Sequence, residues 1–323
     1  MSQEEKRNQH WNDYWQNAGR DDQALGGKKQ REVLQEHWRT LLRGAQKPLS
    51  ILDVASGSGA IFDAIELPSP TLEVGGLSLF VAADESVAAV KQASSKNLIQ
   101  GVTCDASNLP FENQSFDLAV SQFGIEYAGI DAFLEAARLI RPGGTLNFIS
   151  HYHDGAIFKE CKEQSRVLSV ILENELFDVA ARAILPTIQQ RNVSNKAFVD
   201  QKAEEKLRQV ALETRDVLTR SPVTSARNLL NRYFNDLIRL SERRLAYKEG
   251  EAAQWLSSAS DAIHAYFDRM EAMTKAALTS DDVSRLTKMY SELGVELDVP
   301  VPIVFSEDGT PGAWHLKGQL KAN

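Results

Sequence analysis

The chain has 323 residues, a length that suits one enlarged domain or two ordinary ones. Its residues are 43% hydrophobic and 25% charged, which is typical of a globular protein and excludes a disordered or fibrous one. The formal net charge of −8 disfavours a nucleic-acid partner, because phosphate binding depends on clustered Lys and Arg. The apolar runs are too short to cross a bilayer and residues 1–7 do not resemble a signal peptide, so we expect a cytoplasmic protein without a membrane span.

The N-terminal residues 1–47 are predicted to be helical around a break at Gly26-Gly27. Trp11, Tyr14 and Trp15 stand at a spacing that places them on one face of a helix. Such a face either packs on the core or closes over a site as a lid, with the glycines as its hinge. The two interpretations are compatible.

Downstream of Pro48 the pattern changes to short apolar runs that alternate with helical stretches. Such runs suit the strands of a parallel sheet covered by helices on both faces, because both sides of each strand are then buried. The expected strands are residues 49–54, 79–83, 99–104, 116–120 and 145–149. This alternation predicts a doubly wound α/β sheet.

From about residue 155 apolar residues recur every three or four positions over long stretches. This periodicity predicts amphipathic helices, with a helix break near Pro186. Residues 295–304 and 313–319 then flank a turn rich in Gly and Pro, which predicts an antiparallel hairpin. The expected fold class is therefore α/β: a doubly wound, mostly parallel sheet with a C-terminal antiparallel hairpin strand, and an all-helical insertion after the fifth strand.

The two cysteines, Cys104 and Cys161, are too few for a disulfide framework or for the usual four-ligand zinc site. Both stand in ordinary apolar sequence surroundings. We therefore expect reduced, unreactive thiols and no metal site.

The most informative segment is residues 51–60 (ILDVASGSGA), an apolar strand that ends in an acid and turns through small residues into a helix. Such a loop lets a ligand approach backbone atoms, and it presents the N–H groups of a helix N-terminus. The spacing Ala55-x-Gly57-x-x-Ala60 also fits a relaxed dinucleotide fingerprint. Small residues can equally serve only tight packing of strand on helix, so the loop alone leaves both roles open.

Polar residues follow the next predicted strands in order. Asp84 ends the second strand, where a carboxylate can bind both ribose hydroxyls, and Asp105 follows the third, where it can meet an adenine amino group. Ligands of open α/β sheets bind outside the carboxyl ends of the strands, so Asp53, Asp84, Asp105 and Ser121 are expected along one rim. Each residue taken alone is also explained as a helix cap or turn former.

Four motifs in this order resemble the class I S-adenosylmethionine-dependent methyltransferases, particularly the ubiquinone/menaquinone-biosynthesis-like branch. The motifs are residues 52–59 (LDVASGSG), 105–111 (DASNLPF), 115–120 (SFDLAV) and 135–146 (EAARLIRPGGTL). The resemblance runs from about 49 to 150, and it implies a Rossmann-like fold with S-adenosylmethionine as cofactor. Ala55 stands where many members have the first glycine of the loop, and the helical insertion lies outside the resemblance.

The resemblance also implies which residues bind the cofactor. This expected set comprises Asp53, Ala55, Ser56, Gly57, Gly59, Asp84, Glu85, Asp105, Ala106 and Ser121. Within it, Asp53 and the loop would hold the amino-acid part of the cofactor, Asp84 the ribose and Asp105 the adenine. Ser121 would lie near the methionine portion.

Three regions are expected in the chain. Residues 1–47 would form an N-terminal helical lid, and residues 48–154 and 280–323 the methyltransferase core. Residues 155–279 would form a helical insertion that covers the substrate. No Pro/Gly/Ser-rich linker precedes this insertion, so we expect it to pack on the core and not to fold alone.

A general base is optional for methyl transfer, since alignment supplies most of the acceleration. The candidates by position are His151 and His153, just past the fifth strand, and Tyr127. Each is also explained as a capping or packing residue.

The function expected is methyl transfer to a small, largely apolar molecule by in-line displacement. The alternatives are an RNA or protein methyltransferase, which the net charge disfavours for RNA, and a non-catalytic scaffold that binds S-adenosylmethionine. A nicotinamide enzyme is disfavoured, because the motifs at 105–106 and 141–144 have no role in it.

Overall fold

A computed structural model describes most of the chain as two compact units. The described residues are 11–12, 14–16, 27–43, 49–64, 79–96, 98–194, 199–222, 224–305 and 309–322. One unit, the core unit, contains the described residues up to Lys159 and from Met273 onward; the other, the helical unit, contains residues 160–272. The predicted hinge residue Gly26 and the hairpin turn at 306–308 lie outside the described residues.

The described strands form one eight-stranded sheet in the core unit. They are β1 (Ser50–Val54), β2 (Leu79–Asp84), β3 (Ile99–Thr103), β4 (Phe116–Gln122), β5 (Ile140–His151), β6 (Val295–Leu297), β7 (Val301–Val304) and β8 (Pro311–Leu320). Their order is β3-β2-β1-β4-β5-β8-β6, with β7 also paired to β8. The first five strands are parallel, whereas β8 runs antiparallel to its neighbours. The predicted mixed sheet with a C-terminal antiparallel strand is confirmed.

Helices on both sides of the strands follow the expected alternation. In the core unit they are α1 (Gly27–Arg43), α2 (Ala60–Ala64), α3 (Val87–Ser94), α4 (Ile130–Leu139) and α10 (Ser280–Glu292), with a 3₁₀ turn at Ile125–Ala128. Ser86 caps α3 by accepting from the Ala89 N–H, and Thr279 and Asp282 form a capping box at the start of α10. Helix α10 therefore begins at a capped N-terminus.

The main hydrophobic core lies on the α4 and α10 side of the sheet. Phe133, Phe148, Leu146 and Leu286 are fully or almost fully buried there. Tyr290 is also buried, and its hydroxyl donates to the Phe133 carbonyl at 2.9 Å. Full burial of each large side chain contributes about 1.5–3 kcal/mol, so this face fixes the sheet on which the strand ends are arranged.

The helical unit is built from five long helices. They are α5 (Ala156–Glu173), α6 (Leu176–Ser194), α7 (Gln201–Arg220), α8 (Thr224–Glu242) and α9 (Glu249–Ala276). The predicted break near Pro186 is wrong, because α6 continues through this proline. Ala183, Ile184 and Ile188 are buried around it, and their burial offsets the cost of about 3 kcal/mol for proline inside a helix. No helix among the described residues is long and apolar enough to cross a membrane.

Candidate active site

The carboxyl ends of the parallel strands lie along one rim of the sheet. The register places Asp53 of β1 beside Val120 of β4, and Asp84 of β2 beside Thr103 of β3. Since Asp105 and Ser121 belong to the ends of β3 and β4, the four predicted polar residues stand in a row along neighbouring strands.

The loop after β1 has a backbone that small residues favour. Gly57 and Gly59 have φ angles of 53° and 79°, and Ala55 adopts φ 51° without being a glycine. A Cβ on Gly124, in the loop after β4, would overlap the Ala55 carbonyl oxygen, so these two loops touch through backbone atoms. Lys96 holds the far side of the loop, because its Nζ donates to the carbonyls of Ser58 at 2.6 Å and Gly59 at 3.0 Å.

Asp84 organises the loop from the next strand. Its Oδ2 accepts from the Gly57 N–H and its Oδ1 from the Ser86 N–H, both at 2.8 Å. Burial raises the pKa of Asp84, and these two backbone hydrogen bonds oppose the rise. Glu85 beside it is half-buried. Asp84, which the sequence predicts to bind the ribose, thus also holds the backbone of Gly57.

Asp53 is the unsatisfied group of the rim. It is 1% exposed, and neither carboxylate oxygen has a hydrogen-bond partner among the described residues. Burial raises the pKa of Asp53 well above its ordinary value, the charge of Asp84 raises it further, and Lys96 lowers it. A buried, unpaired carboxylate is costly, so this position fits a bound cationic group.

The other residues predicted to bind the cofactor differ in their exposure and in their hydrogen bonds. Asp105 is exposed, and its Oδ1 accepts from the Ser107 N–H and hydroxyl, each at 2.8 Å. Ala106 is half-buried next to it. Ser121 is fully buried: its hydroxyl donates to the Val54 carbonyl at 2.7 Å and accepts from the Ile125 N–H at 3.1 Å. The Ser121 hydroxyl therefore joins β1 to the 3₁₀ turn.

His151, at the end of β5, forms a buried pair with a residue that the sequence analysis missed. Glu126 Oε1 accepts from the His151 backbone N–H at 2.9 Å and lies 2.7 Å from His151 Nδ1. Glu126 Oε2 is buried without a hydrogen-bond partner among the described residues. A carboxylate oxygen at this distance can accept from an Nδ1–H, and in that tautomer Nε2 would keep a lone pair.

Aromatic rings extend from the His151–Glu126 pair to the loop after β1. The His151 ring lies 4.5 Å from Phe123 and 5.9 Å from Tyr127, and Tyr127 lies 5.2 Å from Trp11. The Trp15 ring packs directly on Gly57. The N-terminal aromatic residues thus contact the rim, and their action as a lid stays a prediction.

His153 differs from His151 in its surroundings. It is 37% exposed, its Nδ1 lies 3.0 Å from Asp154 Oδ2, and its ring lies 4.3 Å from Phe158. The structure therefore brings His151 and Tyr127 together but leaves His153 outside their cluster.

Two of the sequence motifs have a structural explanation. Arg138 pairs with Glu135 at 2.6 Å, and its guanidinium also donates to the carbonyls of Leu109 and Phe111. Glu135 accepts from the Leu109 N–H at 2.9 Å. Helix α4 thereby holds the segment that follows Asp105, which places that segment at the rim.

The strand order, the small-residue loop after β1 and the acids after β2 and β3 define a class I S-adenosylmethionine-dependent methyltransferase domain. Comparison with known proteins agrees, since residues 52–148 match the family model described as a methyltransferase domain. A ubiquinone/menaquinone biosynthesis C-methyltransferase of Bartonella tribocorum is 38% identical over 106 residues, which are 29% of this chain and 38% of that protein. A demethylmenaquinone methyltransferase of Corynebacterium kroppenstedtii is 32% identical over 114 residues, 34% of this chain and 46% of that protein.

A solved structure covers more of the chain at lower similarity. It is the complex between the Haloferax volcanii Trm112 methyltransferase activator and a methyltransferase, with 13% identity, a TM-score of 0.41, and coverage of 91% of this chain and 94% of that one. The fold assignment does not depend on this likeness but on the strand order.

Residues 52–148 thus form a class I methyltransferase domain that is similar to the ubiquinone/menaquinone biosynthesis C-methyltransferases, and S-adenosylmethionine is the cofactor of such a domain. The chain spans less than half the length of the curated relatives it matches. The residues present fit the cofactor: neither oxygen of the buried Asp53 carboxylate has a hydrogen-bond partner among the described residues, and Gly57 and Gly59 carry no side chain of their own at the loop.

Proposed function

We propose that this chain transfers a methyl group from S-adenosylmethionine to a small, largely apolar acceptor. Asp53 supports this most directly, because a buried carboxyl group without a hydrogen-bond partner is well placed to bind a cation and the cofactor has an ammonium group. In this proposal the loop of Ala55, Ser56, Gly57 and Gly59 surrounds the same part of the cofactor.

We assign the outer parts of the cofactor along the rim. Asp84, with Glu85 beside it, would bind the ribose, and Asp105 with Ala106 would face the adenine. Asp84 already accepts two backbone hydrogen bonds, so its remaining lone pairs would serve the hydroxyls. Ser121 would act through the backbone that its hydroxyl holds.

S-adenosylmethionine supplies a methyl group on a positively charged sulfur, which is already a strong electrophile. The chain's own residues therefore need mainly to hold the acceptor in line with the carbon–sulfur bond, an alignment worth about 7–11 kcal/mol in well-oriented systems. The aromatic rings of Phe123, Tyr127 and Trp11 support a role for this part of the rim in holding a flat acceptor.

We further propose that His151 accepts a proton from the acceptor and that Glu126 is its positioning residue. Glu126 holds the ring by Nδ1 and stabilises the charge that protonation at Nε2 creates. A hydroxyl or an aromatic ring carbon that gains a methyl group must lose a proton, so both acceptor types would use this pair. His153 is a weaker candidate, since its partner Asp154 is an exposed carboxylate, and Tyr127 stays a further candidate beside the His151 ring.

The acceptor that we propose is a quinol-like ring. The curated relatives are named for ubiquinone, menaquinone and demethylmenaquinone, although the match covers only 38% and 46% of their lengths. The net charge of −8 argues against RNA as the acceptor. We also propose that residues 1–47 act as a lid, that 48–154 and 280–323 are the catalytic core, and that 155–279 cover the substrate.

Calorimetry and a transfer assay test the proposal. We expect the purified chain to bind S-adenosylmethionine and S-adenosylhomocysteine, and to transfer labelled methyl groups to a short-chain demethylmenaquinol. Tighter binding of NAD than of S-adenosylmethionine would contradict the cofactor assignment. Transfer to bulk tRNA or to protein, with none to the quinol, would contradict the acceptor class, and cofactor binding without transfer to any of these would favour a scaffold.

A further inference from the structure

A second polar cluster lies in the core unit, away from the residues assigned to the cofactor. Asn147 is only 1% exposed, although it stands in the middle of β5 between the apolar Leu146 and Phe148. Two histidines from other elements reach it: His37 from α1 and His315 from β8. A buried amide in a strand is costly unless its polar atoms are used, so this convergence requires an explanation.

Two imidazole nitrogens and one amide oxygen, all atoms that can ligate a metal ion, lie close together in this cluster. His37 Nε2 lies 3.1 Å and His315 Nε2 lies 3.2 Å from the same Asn147 Oδ1, and the two imidazole centroids are 4.6 Å apart. Ligand atoms bound to one metal ion at about 2.0–2.2 Å are separated by roughly 2.9–3.5 Å when they are adjacent in octahedral or tetrahedral geometry. The two measured separations fall in that range.

The two rings present the same atom to the amide oxygen. Each Nε2 is at hydrogen-bond distance from Asn147 Oδ1, so the two Nε2 atoms face one point from two different elements. An ion held there would take the Nε2 lone pair of each ring, and Nδ1 would then carry the ring hydrogen.

The cluster is open to solvent. It lines a cavity of about 520 Å³ whose other walls include Val33, Leu41 and Glu36. This space admits an ion and its waters. Lys317 also lines the cavity, but its Nζ lies 3.3 Å from Asp298, which reduces its repulsion of a cation.

We propose that His37, Asn147 and His315 bind a divalent transition-metal ion of the Zn²⁺, Ni²⁺ or Cu²⁺ type, with water completing its coordination. Two imidazoles and one amide oxygen favour these ions over Mg²⁺ and Ca²⁺, which prefer sets made of oxygen atoms. Two imidazoles and one amide are fewer protein ligands than the four of a closed structural zinc site, so we expect a readily exchanging ion. A bound ion would fasten α1 to β5 and β8.

The test uses the full chain without an affinity tag, stripped of metal with a chelator. We expect calorimetry to show one equivalent of Zn²⁺, and His37→Ala and His315→Ala each to weaken binding at least about tenfold, since even losses behind the ligand shell cost 10–100-fold. His315→Gln tests the same point in a chain that can still donate to Asn147. His264→Ala is the matched control, because His264 is exposed on α9 and bonds the Ser260 carbonyl.

Electron paramagnetic resonance of the Cu²⁺-loaded chain adds a second readout. We expect hyperfine coupling to two imidazole nitrogens, reduced to one in His315→Gln, with thermal melting curves showing that each variant is folded. Failure of the wild-type chain to bind Zn²⁺, Ni²⁺ or Cu²⁺ would overturn the site. Equal binding by wild type and the folded His37 and His315 variants would overturn it as well, by assigning the ion to another part of the chain.

Discussion

The core unit and the helical unit differ in what they bury. Among the described residues of the core unit, Asp53, Asp84, Glu126 and His151 are acidic or histidine side chains that are at least nine-tenths buried. The buried polar residues described in the helical unit are neutral: Gln164, Ser165, Thr187, Thr214 and Ser221. Burying a charge costs several kcal/mol, whereas a neutral side chain in a helix needs only one hydrogen bond.

The core unit therefore contains the buried groups that can take part in chemistry, whereas the described buried side chains of the helical unit serve packing. All four of these acidic and histidine side chains lie at the carboxyl ends of strands or in the turns that follow them, where the fold concentrates its ligands. In the helical unit, aromatic rings contact one another instead: Phe177 lies 6.5 Å from Tyr233 and 6.2 Å from Trp255. We therefore expect substitutions in the two units to have opposite signatures in binding and stability.

The largest effect is expected at the His151–Glu126 pair. His151→Gln should reduce the rate of methyl transfer by about 10²–10⁴-fold, because it removes the proton acceptor, and leave cofactor affinity unchanged. Glu126→Gln should act through the same ring, with a changed pH profile of transfer that Glu126→Asp partly restores. Rates and calorimetry measured together decide this, and a loss of cofactor binding that parallels the loss of rate would show the pair to be structural only.

Asp53→Asn comes next. It should weaken S-adenosylmethionine binding by about 10–150-fold, or 1.5–3 kcal/mol, without lowering the melting temperature, because neither Asp53 oxygen has a hydrogen-bond partner among the described residues that the substitution would remove. Asp117→Asn is the matched control. Asp117 accepts from the Ser50 N–H at 2.9 Å and pairs with Arg141 at 3.2 Å, so its loss should lower stability and spare cofactor binding. The reverse pattern in either variant would refute the assignment.

A pH dependence should follow from the same carboxyl group. Burial and then Asp84 raise the pKa of Asp53 well above 3.8, so the folded chain retains a proton that the unfolded chain has released. The contribution of Asp53 to stability therefore falls as pH rises from 3.8 through this raised pKa, by at most about 1.4 kcal/mol per pH unit. Affinity for the cationic cofactor should strengthen over the same window. Calorimetry from pH 5 to 8 should show this slope in wild type, and its persistence in Asp53→Asn would assign it elsewhere.

The smallest effect is expected inside the helical unit. The Tyr266 hydroxyl donates to Gln164 Oε1, and Tyr266→Phe leaves that buried amide oxygen short of a donor. The free energy of unfolding should fall by about 1–3 kcal/mol. Cofactor affinity should stay the same, and urea unfolding with calorimetry checks both. A tenfold change in affinity would mean that the helical unit contributes to the cofactor site and that the contrast between the units is too simple.

The acidic residues at the strand ends could be predicted from the sequence, whereas the side-chain contacts of His151 and Asn147 could not. Asp53 and Asp84 could be placed because each ends an apolar run, and a parallel sheet brings such ends together. Glu126 gave no comparable signal: it lies 25 positions from His151, and only the packing of the turn against β5 joins them. The Asn147 cluster joins residues 110 and 168 positions apart, which no local pattern contains.

The error at Pro186 has the opposite cause. Proline is a reliable local signal against a helix interior, but the buried residues around it favour a continuous α6 by more than the proline costs. The burial of neighbouring side chains determines the structure at Pro186. The sequence pattern shows the cost of the proline but not this burial.

The position of β8 has a consequence for how the chain folds during synthesis. Its residues pair with β5 along one edge and with both β6 and β7 along the other, and the described parts of β6 and β7 pair with β8 alone. Ribosomes make β5 first and β8 last of these strands, with the whole helical unit in between. Throughout that interval β5 can pair with β4 along one edge only, and its other edge presents unpaired backbone groups beside apolar side chains. Such an edge is a template for association with other chains. We therefore expect the nascent chain to depend on chaperones until β8 emerges and closes the edge.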